Sequence, residues 1–540
     1  MALRWPRLLR YLPAVLAVVF FLFYSYPFWS GMWFHKSTTE QDRLHHDLFL
    51  LFLHGEESGF FKYGVGAYVL DWPPVHALYE LTEREPRFRD WRTPPKLRQS
   101  SFLPHYIERT GRLAGWYHCL LAALCAPLLY LILLPYLGRF SALLAALVCG
   151  LQPAFVRYAA NAGQNISLVL FALLTLLALD RWRTRSSPGW AVLTGVFAAC
   201  AFVNKEFFGY FMLAFPLVLW DRARKTETRW LSPHTVWLGV LALAAFVAVV
   251  AALSLVWLDP RLYLGHLKAY FVSAGAINPK WVDFWRPPTV SLTQYPALAW
   301  VGWAATLDSV PLLLLSAVGL YYAFAPKADR IWLLALPTAV YLVLVPVRYF
   351  HLNYPYLYLC LPFAAAAAAK GFAKLWSAGK WYWRAPAAAL AALGLLQFAA
   401  VDGLMFHDMG DDVRVQVADF FNRMHCPPGY SVGTFDTGVY GPNNFGCGQL
   451  VGLNLQRTAH GERAAESPDY LVLSGEQLGF VRARNAAMKD APLADAPRFL
   501  VEHGDYQLLH TFENPRRFLV YRLNGFNDPY YLFRNASGAP

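Results

Sequence analysis

The chain has 540 residues, 57% hydrophobic and 15% charged, with a formal net charge of +12. A soluble domain averages about 45–50% apolar and about 25% charged residues, so an ordinary water-soluble fold is excluded for most of the chain. The positive charge is spread over short connections between apolar blocks, which excludes the single basic groove of a nucleic-acid binder.

The first apolar block, Leu12–Trp29, follows Arg4, Arg7 and Arg10. Tyr24, Tyr26, Phe28 and Trp29 stand where a leader peptide would carry small residues, so the block reads as an uncleaved first helix with interfacial aromatics. Further continuous apolar runs predict helices near 113–137, 141–157, 165–180, 189–204, 206–220, 235–257, 309–325, 331–347, 353–369 and 385–402. Unbroken apolar runs, each supplying most of the roughly 20 residues needed to cross hydrocarbon, select helices over barrel strands. The expected fold is therefore an all-α polytopic membrane protein of about eleven transmembrane helices, followed by a small mixed α/β soluble domain.

Alternate connections are basic: Arg139, then Arg181/Arg183/Arg185, Arg222/Arg224/Lys225/Arg229, Lys327/Arg330 and Lys370/Lys374/Lys380/Arg384. Short basic loops stay in the cytoplasm. The N-terminus is then expected inside, and three long segments outside: 30–112, 258–308 and the tail 403–540. In a bacterium that side of the inner membrane is the periplasm. Residues 1–402 are taken as the membrane domain and 403–540 as the periplasmic one.

In the tail, Asp412–Met424 reads as a short amphipathic helix. Tyr430–Asp436, Tyr470–Ser474, Gln507–Phe512 and Phe518–Leu523 read as strands. Five of the seven cysteines fall in predicted helices; Cys426 and Cys447 lie in the tail, where an oxidising compartment favours a disulfide between them.

The richest chemistry lies in the first outer loop. Thr38 to Asp47 reads Thr-Thr-Glu-Gln-Asp-Arg-Leu-His-His-Asp, followed by an apolar run to Leu53. Leu44–Leu53 can lie as an amphipathic helix at the membrane surface, with Asp42 near its start and His46 four residues on. A carboxylate and an imidazole so placed are the groups a general-base step uses, though they could also simply cap the helix. Gly55, Tyr63-Gly64, Tyr68 and Asp71-Trp72-Pro73-Pro74 follow before the second helix. Basic residues at outward helix ends or loops are Arg157, Lys205, Arg261, Lys268 and Arg348. Charge at a helix end is costly unless solvated, paired or functional.

The order of these features resembles the GT-C superfamily of glycosyltransferases, in the bacterial branch related to protein O-mannosyltransferases and lipid A aminoarabinose transferases. The shared landmarks are the early acidic loop, the glycine beyond it, and the Tyr and Pro-Pro before helix two. Later come Arg112, Gln152-Pro153-Ala154-Phe155, Asn161–Asn165, Gly195 through Asn204-Lys205-Glu206, and Val347-Arg348-Tyr349-Phe350. The resemblance implies a polyprenyl-phosphate-linked sugar as donor, an acceptor on the outer face, and a first-loop carboxylate as base. By position that base is Asp42, with Glu40 next and Asp47 third. Lys205, Arg348 and Tyr349, with Arg157, Arg261 and Lys268, are the candidates for binding the donor. The family's Asp-Glu dipeptide is here Glu40-Gln41-Asp42, and its Lys before Pro-Pro is Trp72. The loop carboxylates permit a divalent metal, but no ligand spacing demands one. Competing readings are a transporter or flippase, a glycan polymerase of the cell envelope, and a non-catalytic relative. A transporter would carry paired charges at mid-membrane, which the apolar blocks lack.

Overall fold

In the computed structural model the chain is described at residues 11–29, 102–159, 164–205, 208–216, 232–254, 309–323, 359–410, 413–423, 431–435, 449–453, 468–474, 506–513 and 529–535, and at isolated positions 70, 74, 77, 81, 307, 338 and 478. The elements in order are α1 (Leu12–Tyr24), α2 (Tyr26–Trp29), α3 (Phe102–Gly150), α4 (Pro153–Ala159), α5 (Gln164–Arg185), α6 (Pro188–Asn204) and α7 (Phe208–Met212). They continue with α8 (Pro233–Leu253), α9 (Val310–Ala323), α10 (Leu361–Ser377), α11 (Trp381–Gly410), α12 (Val413–Arg423) and β1–β5. Among the described residues, three helical segments are long and apolar enough to cross a membrane: Leu113–Gly150, Pro233–Leu253 and Trp381–Phe406. Leu12–Tyr24, Pro188–Asn204 and Val310–Tyr322 are shorter apolar helices.

α3 is a hairpin of two helices. Gly138, at φ 73°, breaks it where an L-residue would be strained. Contacts with α1 prove the reversal. The Cys119 thiol donates to the Tyr24 carbonyl at 3.4 Å, and the Tyr24 hydroxyl donates to the Gly150 carbonyl at 2.7 Å. In a straight helix, residues 119 and 150 would lie about 46 Å apart. Both touch Tyr24, so the two arms run antiparallel and their open ends meet at the end of α1.

The expected helix 141–157 is interrupted. α3 stops at Gly150 and α4 restarts at Pro153, because Gln152 turns its side chain onto the new helix: its Oε1 accepts from the Phe155 N–H at 2.7 Å. Pro153 suits a first helical position, having no N–H to leave unpaired. The expected helix 353–369 is displaced toward the C-terminus, starting at Leu361 with Pro362 in its first turn and running to Ser377. From 206–220 only Phe208–Met212 is a described helix of more than two residues.

Small residues set the helix spacing. A Cβ on Gly195 of α6 would overlap the Ala242 carbonyl of α8. One on Gly319 of α9 would overlap the Ala367 carbonyl of α10, and one on Gly371 the Leu315 carbonyl. Lipid offers no hydrophobic drive for helices to associate, so close backbone approach at small residues is what holds them. The buried alanine run Ala364–Ala369 serves the same packing.

The chain divides into two compact units, one of Met1–Tyr26 with Leu44–Asp402 and one of Pro27–Arg43 with Gly403–Pro540. The second contains α12 and a five-stranded sheet in the order β2-β1-β3-β5-β4. β1 (Ser431–Phe435) pairs in parallel with β2 (Gln449–Leu453) and β3 (Tyr470–Ser474). β5 (Tyr530–Asn535) pairs antiparallel with β3 and with β4 (Tyr506–Phe512), the latter with an irregularity at Leu508/His510. Val413, Val417 and Phe421, spaced four apart on α12, pack on Val432, Tyr470, Val472, Phe512, Tyr530 and Leu532. β2 and β5 were not expected from the sequence. The expected strand Phe518–Leu523 lies outside the described residues.

Candidate functional site

The packing of α1, α3, α5 and α6 defines two ends of the membrane unit. At one end the first arm of α3 is tied to α5. The Tyr136 hydroxyl donates to Asp180 Oδ1 at 2.6 Å, and Arg183 Nη2 donates to the same oxygen at 3.1 Å. Arg183 and Asp180 are both buried, so this ion pair fastens the Gly138 end from inside. α5 then turns through Ser186, at φ 48°, into α6. α6, of 17 residues, climbs back about 25 Å and ends at Asn204. Its terminus therefore lies at the end where Tyr24, Cys119 and Gly150 meet, the end that the charge alternation assigns to the outside.

Lys205 caps α6 there in extended conformation, at φ −154° and ψ 120°. Its N–H donates to the Ala201 carbonyl at 3.2 Å, and its own carbonyl accepts from the Phe208 N–H at 3.0 Å. The side chain is only 9% exposed. An ammonium held at a membrane helix end so far from water needs anionic or polar company. Beside it Asn204 is fully buried, and its Nδ2 donates to the Cys200 carbonyl at 2.7 Å. Because that partner can only accept, the amide orientation is determined, and Oδ1 is left as a buried acceptor without a hydrogen bond among the described residues.

A second polar group belongs to the same end. Asp402, on α11, is 1% exposed and neither carboxylate oxygen has a hydrogen-bond partner among the described residues. It lies within electrostatic reach of Tyr24. Tyr24 packs edge-on against Phe155, so the Gln152–Phe155 segment forms a wall of the same region. The arrangement offers one ammonium, one free amide acceptor and one carboxyl at the end of an apolar bundle.

Of the residues expected to act, the structure describes Lys205 as above and places Arg157 on α4. Asp42, Glu40, His46, Arg261, Lys268, Arg348, Tyr349, Cys426 and Cys447 lie outside the described residues. Among the described residues no three His, Cys, Asp or Glu side chains converge as metal ligands. Asn204 and Asp402 were missed as site groups. For Asp402 a signal existed, since it is the first charge after Arg384 in an otherwise uncharged run.

Residues 107–257 match the family model for dolichyl-phosphate-mannose-protein mannosyltransferases, a span that contains all but the first five residues of α3 and also Lys205. Over that span the chain is similar to that family, the one to which its sequence landmarks pointed. No curated protein sequence matches the chain. Among solved structures, ArnT from Cupriavidus metallidurans bound to undecaprenyl phosphate is similar at 11% identity and TM-score 0.46, with 100% of both chains covered. The Archaeoglobus fulgidus oligosaccharyltransferase in the apo form is similar at 12% identity and TM-score 0.44, covering 87% of this chain and 71% of that one. AglB from the same organism, with an inhibitory peptide and a dolichol-phosphate, gives 11% identity and TM-score 0.43 over 86% and 69%. At these scores the structural likenesses carry no functional weight.

Proposed function

We propose, for a chain whose residues 107–257 match the protein-mannosyltransferase family, that it moves a sugar from a polyprenyl-phosphate carrier to an acceptor at the outer face of a bacterial inner membrane. The observation that carries this reading is Lys205, buried at the outward end of α6 inside the matched span, beside the unfilled acceptor of Asn204. An ammonium there is level with a lipid phosphate and can form charge-assisted bonds to it. Arg348 and Tyr349, after the later apolar run 331–347, join it on the donor. Arg157, Arg261 and Lys268 supply further positive charge around the leaving phosphate.

The chemistry follows from the groups in the first loop. The Asp42 carboxylate takes the proton of the acceptor hydroxyl as its oxygen bonds to the anomeric carbon. The bond from that carbon to the phosphate oxygen breaks, and polyprenyl phosphate leaves as an anion held by Lys205. Glu40 is the alternative base, and His46, four residues on from Asp42 in the sequence, orients it or accepts its proton. Because the phosphate carrier is already a good leaving group, the reaction needs no nucleotide. A divalent cation would be held by the loop carboxylates, where it would further neutralise the phosphate.

Trp72 favours a second reading, a relative that binds the carrier without turning it over, since the aminoarabinose-transferase branch has Lys there. Reconstitution with undecaprenyl-phosphate sugars and extracted envelope acceptors separates the two. Transfer is expected, with Asp42→Asn lowering turnover by about 10²–10⁴-fold. Lys205→Ala is expected to raise KM for the donor. Donor binding without transfer would establish the second reading; neither binding nor transfer would end both.

A further inference from the structure

We propose that the corner formed by α9, α10 and α11, at the end opposite the candidate site, binds the phosphate headgroup of an anionic glycerophospholipid. From Leu361 to Val401 the chain carries Lys370, Lys374, Lys380 and Arg384 and not one Asp or Glu. Three of these bases are held on aromatic rings. The Lys374 ammonium lies 5.3 Å from the Tyr322 ring centroid, the Lys380 ammonium 5.6 Å from that of Tyr382, and the Arg384 guanidinium 5.8 Å from that of Trp376. Arg384 Nε also donates to the Trp376 carbonyl at 3.1 Å, which fixes the guanidinium against the end of α10. The turn joining the two helices is pinned by Gly379, at φ 80°.

An aromatic ring orients a cation but does not neutralise it. Among the described residues no carboxylate pairs with Lys374, Lys380 or Arg384, and no described counter-anion meets the three positive charges at this corner. The orientation rule explains why bases lie at this end; it requires neither their stacking nor the acid-free sequence from 361 to 401. The rings are themselves exposed, Trp381 at 78% and Tyr321 at 72%, with Trp376, Tyr382 and Trp383 about half exposed. Along the same helices Leu314 on α9 and Leu393 and Leu396 on α11 are exposed too. That surface suits acyl chains below a headgroup and gives free phosphate nothing. The corner also stands apart from the proposed chemistry, since Arg384 and Asp402 on α11 are about 27 Å apart. The proposal therefore stands whether or not sugar transfer does.

The test uses the full chain in detergent micelles, with dioleoyl-phosphatidylglycerol or dioleoyl-phosphatidylcholine added and retained lipid counted by native mass spectrometry. Phosphatidylglycerol should be retained in preference. A basic residue near an anionic lipid surface contributes about fivefold, so Lys380→Gln should cut retention by about that factor and K374Q/K380Q/R384Q by about a hundredfold. Lys380→Arg should keep it, and inorganic phosphate at equal concentration should not displace the lipid. Equal retention of both lipids, a preference that survives the triple variant, or displacement by phosphate would overturn the proposal. If the triple variant does not fold, Lys380→Gln and Arg384→Gln, at exposed positions, carry the same test singly.

Discussion

Asp402 is the residue whose environment is hardest to justify as structure alone. A buried polar group left unsatisfied costs about 1–3 kcal/mol, and both oxygens of this carboxyl lack donors among the described residues. Asp402→Leu removes that cost with the same branched side-chain shape, so the detergent-solubilised variant should unfold at a higher temperature than the native chain, provided the two larger methyl groups are accommodated. Asp402→Asn keeps unpaired polar atoms and should gain less. A lowered midpoint for the leucine variant would mean that the folded protein uses the carboxyl. Lys205 differs, because its burial follows from its position as the cap just past α6, and the proposed function gives its charge a lipid phosphate to meet. Both residues are acidic or basic exceptions in apolar surroundings. Only Lys205 stands out in the sequence as the end of a helix, whereas the place of Asp402 beside Tyr24 depends on a helix almost 380 positions away.

At the level of elements, glycine and proline decide where helices cross and where they stop. Gly319 and Gly371 let α9 and α10 touch backbone to backbone, so Gly371→Val must push them apart. Overpacking of this kind costs about 1–3 kcal/mol, and the variant should show an earlier thermal transition and a broader elution profile in detergent. Gly239 on α8 is the control. A Cβ there meets nothing within 4 Å, and Gly239→Ala should be neutral or stabilising by up to about 1 kcal/mol. An unchanged Gly371→Val would show that the two helices are not held at this contact. The hairpin of α3 obeys the same logic. Its arms look like two separate apolar runs in the sequence, and the single residue Gly138 folds one onto the other.

For the whole molecule the expectations to be measured are topological. If the tail and the first loop both face out, cysteine substitutions placed in 30–112 and in 403–540 should both be labelled by an impermeant maleimide on intact cells. Labelling of one region alone would overturn the arrangement of basic loops as a guide to orientation. In the same oxidising compartment Cys426 and Cys447 should be joined. The bond would close a loop of about twenty residues and restrict the unfolded tail by roughly 3 kcal/mol. A non-reducing peptide map with both thiols free would refute it.

Helix positions and membrane character follow from the sequence by itself, because hydrocarbon accepts only long apolar segments whose backbone bonds are internal. That is why α5, α6, α8 and α9 lie within a few residues of their expected ranges, and why Val413, Val417 and Phe421 were legible as one face of α12. Strands were less legible. β3 matched its expected bounds, but β2 reads Gln-Leu-Val-Gly-Leu and β5 Tyr-Tyr-Leu-Phe-Arg-Asn, with little alternation, since what makes them strands is pairing with β1 and β3 far along the chain. The site shows the same division. A sequence can mark Lys205 as a charge where a helix ends, a local property. Only the tertiary structure brings Asn204, Tyr24, Gln152 and Asp402 to that same end, because burial and an unmet hydrogen bond depend on neighbours that a helix, two turns and some 380 intervening residues set in place.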